Sequence, residues 1–237
     1  MLAFGDSITN GGGELQWGVA LQSWVQWVAR GLGLPFSNYA TDGARAFQVV
    51  RHQIPTFQRQ AAHPDARYEL GCLYIGVNDV RAVEWDPASF DLDFRRGLEF
   101  LHERCDRVLT LTAPLDLGRP RAGAKVEELN RLIESAGRET GTLVAQLRDF
   151  RARNLMMVDH VHPTAFGQIA IAERALAVLQ ADGMTVRDVP HRLIVFEITP
   201  WKRLRGDVTY AYRHAKVSAR AAALSALALA RRTARRG

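Results

Sequence analysis

Through the first 180 residues, short apolar runs alternate with stretches of helical periodicity. Residues 1–4 form an apolar run that enters a Gly5-Asp6-Ser7 turn. Between Trp17 and Leu32, the residues Leu21, Trp24, Val25, Val28 and Leu32 recur at spacings of three and four, as on one buried helix face. Gly31 and Gly33 supply its stop, and residues 36–40 read as a second short strand. Residues 45–52 have a helical pattern that Pro55 is expected to end or kink. The continuous apolar run 70–75 suits a central strand of a sheet buried on both faces. A helix over 90–104, a strand over 107–112, a helix over 125–139, a strand over 141–147 and a helix over 164–180 complete the alternation. Such a pattern predicts an α/β fold, with a parallel sheet covered by helices on both faces. Ligands of such sheets bind beyond the carboxyl ends of the strands.

That rule directs attention to four polar segments. Gly5-Asp6-Ser7 follows the first strand, Asp42-Gly43 the second, and Gly76-Val77-Asn78-Asp79 the third, while Asp159-His160-Val161-His162-Pro163 precedes the final helix. A serine at a sharp strand-to-helix turn is exposed at the sheet edge, with its N–H able to face the same site as its hydroxyl. By itself, a serine after aspartate at a helix start is more often an N-cap. To be nucleophilic near neutral pH its hydroxyl needs a base. Asp159 and His162 can supply one, because a carboxylate three residues before an imidazole can reach the far ring nitrogen and stabilise the imidazolium. His160 is the rival base, though adjacent Asp and His side chains seldom face one another. Gly43, through its backbone N–H, and Asn78, through its amide, are of the kind that receives a developing oxyanion.

These blocks, from Gly5-Asp6-Ser7-Ile8-Thr9 through Gly43 and Gly76-Val77-Asn78-Asp79 to Asp159-His160-Val161-His162-Pro163, resemble in order the four sequence blocks of the SGNH hydrolases, the GDSL-like esterases and lipases. The resemblance implies a flavodoxin-like three-layer α/β/α sandwich with a central parallel sheet of about five strands. It implies Ser7 as nucleophile, His162 as base and Asp159 as its orienting partner, with Ser7, Gly43 and Asn78 forming the oxyanion hole. Asp6 and Asp79 are expected to tie loops through backbone hydrogen bonds. The implied activity is metal-independent cleavage of small acyl or lipid-derived esters through an acyl-enzyme. Acyl transfer to another alcohol on the same site, and a non-catalytic scaffold recruited by a basic tail, are the alternatives.

No cofactor is assigned. Gly11-Gly12-Gly13 lacks the Lys-Ser/Thr of a phosphate-binding loop and reads as a mobile loop beside the nucleophile. No H-E-x-x-H or clustered Cys/His pattern points to a metal, and Cys72 and Cys105 read as buried reduced thiols. Trp17, Trp24, Trp27 and Trp85 read as core or pocket wall. With 47% hydrophobic residues and mixed charge, the 237-residue chain has the composition of a globular protein.

The formal charge of +6 is unevenly spread. Residues 1–200 carry 21 basic and 24 acidic side chains, whereas residues 201–237 carry ten basic side chains and the single acid Asp207. The body is therefore −3 and the tail +9. Three domains are expected: a hydrolase unit over 1–184, a connector over 185–206 and a basic Ala-rich helical extension over 207–237, with Asp207 as its N-cap. Within the connector, Leu193-Ile194-Val195-Phe196 is a strand or a packed segment. The uncharged, Ala- and Leu-rich stretch 221–230 is about half of what a bilayer span needs. The extension is expected to pack on its own domain or a protein partner, or to lie on an anionic membrane surface, and no nucleic-acid partner is expected. The N-terminus lacks the charged and apolar regions of a signal peptide, so the expected location is cytoplasmic or peripheral at a membrane.

Overall fold

The computed structural model describes residues 1–13, 19, 21–61, 66–152, 154–194 and 199–234, with the side chains at 202, 203 and 220–234 outside the description. Its elements run β1 (Leu2–Gly5), α1 (Ser7–Asn10), α2 (Trp24–Leu32), β2 (Ser37–Asn38), α3 (Ala46–Gln48), α4 (Ile54–Gln60), β3 (Tyr68–Tyr74) and α5 (Val77–Val80). They continue through α6 (Pro87–Arg104), β4 (Cys105–Leu111), α7 (Lys125–Thr140), β5 (Leu143–Ala145), α8 (Ala165–Ala181) and α9 (Pro200–Ala234). The five strands form one all-parallel sheet in the order β2-β1-β3-β4-β5, the doubly wound arrangement expected. Leu2 pairs with Gly71 and Gly5 with Tyr74, so β1 ends level with the end of β3.

Alternation along the strands feeds two cores. Phe4 on β1 meets Phe57 and Phe100, which belong to α4 and α6. Tyr74 at the end of β3 points the other way and meets Trp24 of α2 edge-on. Helices α2 and α8 pack together over this second face, while α6 and α7 cover the first. Trp24, Phe57 and Tyr74 are fully buried, and each such ring contributes about 1.5–3 kcal/mol by leaving water. Cys72 and Cys105 are free, buried thiols, and burial pushes both well above the usual thiol range.

Three local expectations change. Helix α2 begins at Trp24, capped by Ser23, whose Oγ accepts the Gln26 N–H at 3.3 Å. Leu21 therefore packs on the core from outside the helix, and Trp17 lies outside the described residues. Pro55 does not end the helical segment: α3 widens into a π-helical turn over Val49–Gln53 and continues as α4. In that turn the Ile54 N–H reaches back to Val49 O, and Pro55 falls in the first turn of α4, where its missing N–H costs little. The C-terminal helix starts at Pro200 and runs through Gly206, so Asp207 sits inside it and is not its N-cap. Of the apolar connector, Leu193 closes a 3-10 turn and Ile194 packs on the core, while Val195 and Phe196 lie outside the described residues.

Candidate active site

The site is assembled at the carboxyl edge of the sheet. Strand β1 ends at Gly5, whose N–H donates to Gln53 Oε1 at 3.0 Å and whose carbonyl accepts from Gln53 Nε2 at 2.7 Å. Asp6 then caps α1, its Oδ1 accepting the Ile8 N–H at 2.9 Å. The capping role that a lone serine could have filled thus belongs to Asp6. Ser7 becomes the first residue of α1, with its hydroxyl free to face outward and its N–H beyond the reach of any helical carbonyl. Its 9% exposure leaves the oxygen at the surface of an otherwise buried turn. Asp6 is fully buried, and burial pushes its carboxyl up to about 7 against the opposing effects of the Ile8 N–H and nearby His162.

The second half of the site is a narrow loop before α8. The Met157 N–H donates to His162 O at 2.9 Å and the Thr164 N–H to Leu155 O at 2.9 Å, so the chain doubles back on itself. Thr164 then caps α8, accepting from Gly167 N–H at 3.1 Å. In the turn between, Asp159 Oδ1 accepts the N–H groups of Val161 (2.9 Å) and His162 (3.1 Å). The other carboxylate oxygen, Oδ2, accepts from His162 Nδ1 at 2.7 Å, which leaves Nε2 as the acceptor on the far side of the ring. That nitrogen stands 3.0 Å from Ser7 Oγ. Burial raises the Asp159 carboxyl, but the hydrogen bonds from the His162 side chain and the two backbone N–H groups outweigh it and hold it below its ordinary value. The same Asp159 bond raises the His162 imidazole above its ordinary value despite partial burial.

His160 faces elsewhere. Its Nδ1 bonds Asp116 Oδ2 at 2.7 Å, and its Nε2 lies 2.9 Å from Arg119 Nη2. Burial and the Arg121 and Arg119 guanidinium groups lower its pKa. The rival base is thus engaged with the loop after β4, and Ser7 is met by His162 alone of the two.

Gly43 and Asn78 come to the same edge. Gly43 adopts φ +73°, a left-handed conformation that side chains disfavour, and the space where a Cβ would stand is open. Asn78, on α5, donates one Nδ2 hydrogen to Ala44 O at 3.0 Å, which ties it to the Gly43 loop and leaves its second amide hydrogen for another acceptor. Asp79 Oδ1 and Oδ2 accept the Ala46 N–H at 3.1 and 3.3 Å, the loop-tying role expected of it. Burial pushes the Asp79 carboxyl up to about 6. Asn10 Nδ2 holds Asp42 from the α1 side at 3.0 Å.

The sequence profile of the GDSL-like lipase/acylhydrolase family matches residues 3–170, which holds all four blocks. The chain belongs to this family. A comparison with curated protein sequences returns no match. Among solved structures, a lipolytic protein of the G-D-S-L family from Veillonella parvula is 20% identical with a TM-score of 0.59, over 76% of this chain and 97% of that one. A catalytic mutant of Axe2, an acetylxylan esterase from Geobacillus stearothermophilus, is 16% identical with a TM-score of 0.60, over 79% and 95%. LAE5, an alpha/beta hydrolase from the metagenome of Lake Arreo, is 17% identical with a TM-score of 0.59, over 76% and 94%. At such identities the likeness establishes the shared fold.

Within this GDSL-like frame, three residues that sequence reasoning missed hold the site together. Gly12 is not a mobile bystander: its N–H donates to Ser7 O at 2.5 Å. A Cβ there would stand 2.8 Å from Ser7 O, 3.1 Å from Ser7 Cβ and 3.2 Å from His162 Cδ2. Gln168, fully buried on α8, donates from Nε2 to Gly12 O and to Ile8 O at 3.1 Å, and its Oε1 accepts the Trp24 N–H at 2.8 Å. Gln53 clamps Gly5 from the π-helical turn and also donates to Thr41 Oγ1 at 3.1 Å. The glutamines carry no local signal, since Gln53 reaches Gly5 across 48 residues and Thr41 across 12, and the partners of Gln168 are 144 or more residues away. For Gly12 the run of three glycines was the only available hint.

Proposed function

We propose that the chain is a metal-independent serine hydrolase of carboxylic esters, with Ser7 as nucleophile, His162 as base and Asp159 as orienting acid. The supporting observation is the unbroken line of hydrogen bonds from Ser7 Oγ through the His162 ring to Asp159 Oδ2, at 3.0 and 2.7 Å. Ser7 Oγ attacks the ester carbonyl while His162 Nε2 takes its proton, and Asp159 stabilises the imidazolium so formed. Negative charge that develops on the carbonyl oxygen is received by the N–H groups of Ser7 and Gly43 and the second Nδ2 hydrogen of Asn78. As the tetrahedral intermediate collapses, the C–O bond to the alcohol breaks and His162 returns the proton to the departing oxygen. Water then attacks the acyl-enzyme with His162 again as base, releasing the acid and restoring Ser7. An alcohol in place of that water would make the same site an acyltransferase.

The substrate class that suits this reading is a small acyl or lipid-derived ester. A catalytic unit over 1–184 contains the whole family match of residues 3–170, and beyond it the connector of 185–206 gives way to the C-terminal helix already at Pro200. A panel of p-nitrophenyl esters of rising chain length tests the reaction. Ser7→Ala is expected to lower kcat by at least ~10³-fold while the protein stays folded, because one surface hydroxyl is removed. A fluorophosphonate probe is expected to label Ser7 alone. An active Ser7→Ala protein, or labelling at another residue, overturns the assignment.

A further inference from the structure

Helix α9 is turned so that one face meets the body and another is left bare. Asp207, Tyr210, His214 and Val217 recur every three or four residues and, with Gly206, are all half-buried. From this face His214 Nε2 accepts from Arg119 Nη2 at 3.2 Å, and the same nitrogen of Arg119 reaches His160 at 2.9 Å. The helix is therefore anchored one hydrogen bond away from the loop that carries Asp159 and His162. Turned away from that anchor, Trp201, Leu204, Val208 and Tyr212 fall on a single straight stripe, and they are 72%, 52%, 62% and 68% exposed. Arg205 and Lys216, each one turn beyond an aromatic residue of the stripe, are exposed along its margin.

We propose that this stripe docks the protein on an anionic lipid surface, with α9 lying in the plane of the interface. Several observations favour lipid over other occupants. A large apolar side with Trp and Tyr, bordered by basic residues, matches the headgroup boundary, where aromatic bodies enter the acyl region and cations meet anionic headgroups. Residues 201–237 carry a net +9, so pairing with a second copy would bring like charge against like. The half-buried face is the one that bonds Arg119 of its own domain through His214, so the stripe faces away from that anchor. No helix among the described residues is long and apolar enough to cross a membrane, which fits a helix that lies on the surface. The anchor through Arg119 would then hold the Asp159–His162 loop beside the lipid.

Co-sedimentation of the full chain with vesicles tests this. Binding is expected to phosphatidylcholine vesicles doped with phosphatidylglycerol, with little to phosphatidylcholine alone, and to weaken as salt rises past ~0.15 M. The variant Trp201→Ser/Val208→Ser/Tyr212→Ser and the variant Arg205→Glu/Lys216→Glu are each expected to lower the partition coefficient by about tenfold or more. Both are expected to keep the wild-type melting temperature and the turnover of a soluble short-chain ester. The proposal is overturned by absence of binding to the doped vesicles, by equal binding to both lipids, or by wild-type binding of either variant. A wild-type dimer that the stripe variant dissolves would assign the stripe to a second copy instead. A fall in melting temperature of the stripe variant would assign it to packing within the chain, and either result rejects the lipid surface.

Discussion

In the proposed reaction a proton leaving Ser7 has a short route, 3.0 Å to His162 Nε2, and the imidazolium it would create faces Asp159. The sign of the pH dependence follows. The Asp159 bond favours protonated His162 and so raises its pKa, while catalysis needs the neutral ring, so activity rises as pH passes above that pKa. Asp159→Asn removes the charge that favours the imidazolium. The acid limb of kcat/KM is therefore expected to move to lower pH while kcat falls by about 10²-fold or more, as the ring loses its orientation. An unmoved limb in a pH–rate profile would deny the coupling. Gly12 gives a separate test at the same scale. In Gly12→Ala the new Cβ collides with the Ser7 carbonyl and presses on the His162 ring, so nucleophile and base must part by a few tenths of an ångström. A loss of about 10–100-fold in kcat is expected, together with a lower melting temperature because the Ser7 backbone must yield, measured by ester turnover and calorimetry. Ser7, Asp159 and His162 were singled out by residue type and order, whereas the contact of Gly12 with the His162 ring lies between residues far apart in the chain and left no local signal.

Elements place those side chains. Helix α8 begins where Thr164 caps it, and one turn later Gln168 reaches across to the start of α2, the carbonyl of Ile8 and that of Gly12. Gln168→Leu keeps the volume of the side chain but leaves these buried backbone groups without their partner. A destabilisation of about 2–4 kcal/mol is expected, read as a lower urea midpoint at unchanged slope. Catalysis should fall with it, because the Gly12 loop loses its tether. The π-helical turn before Pro55 works in the same sense, since it ends on Gln53, the residue that clamps Gly5. From sequence, Pro55 was expected to end or kink the helix. A proline in the first turn of a renewed helix gives the same local signal, and the choice between them rests on what the preceding turn packs against.

In the whole molecule, residues 1–200 sum to −3 and residues 201–237, most of them in α9, to +9, and the two parts meet next to the proposed catalytic loop. Arg119 is the link, donating to His160 and His214 at once. Arg119→Ala is expected to leave the sheet protected while speeding amide hydrogen exchange across residues 207–218 and around His160, read by mass spectrometry. Unchanged exchange there would show that Arg119 does not fasten the helix. The sequence by itself determined the alternation of strand and helix, the parallel sheet, and the four polar segments at its edge. Each of these follows from local periodicity and from turn chemistry within a few residues. Charge asymmetry was legible for the same reason, being a simple sum along the chain. Only the tertiary structure decided that Asp6 caps α1 in place of Ser7, that His162 and not His160 meets the hydroxyl, and that Gln53 and Gln168 clamp the loops. It also decided which face of α9 is half-buried and which is exposed. Apart from the local Asp6–Ile8 bond, those outcomes depend on contacts between residues distant in sequence, and a one-dimensional pattern carries no record of which distant groups will be brought within reach.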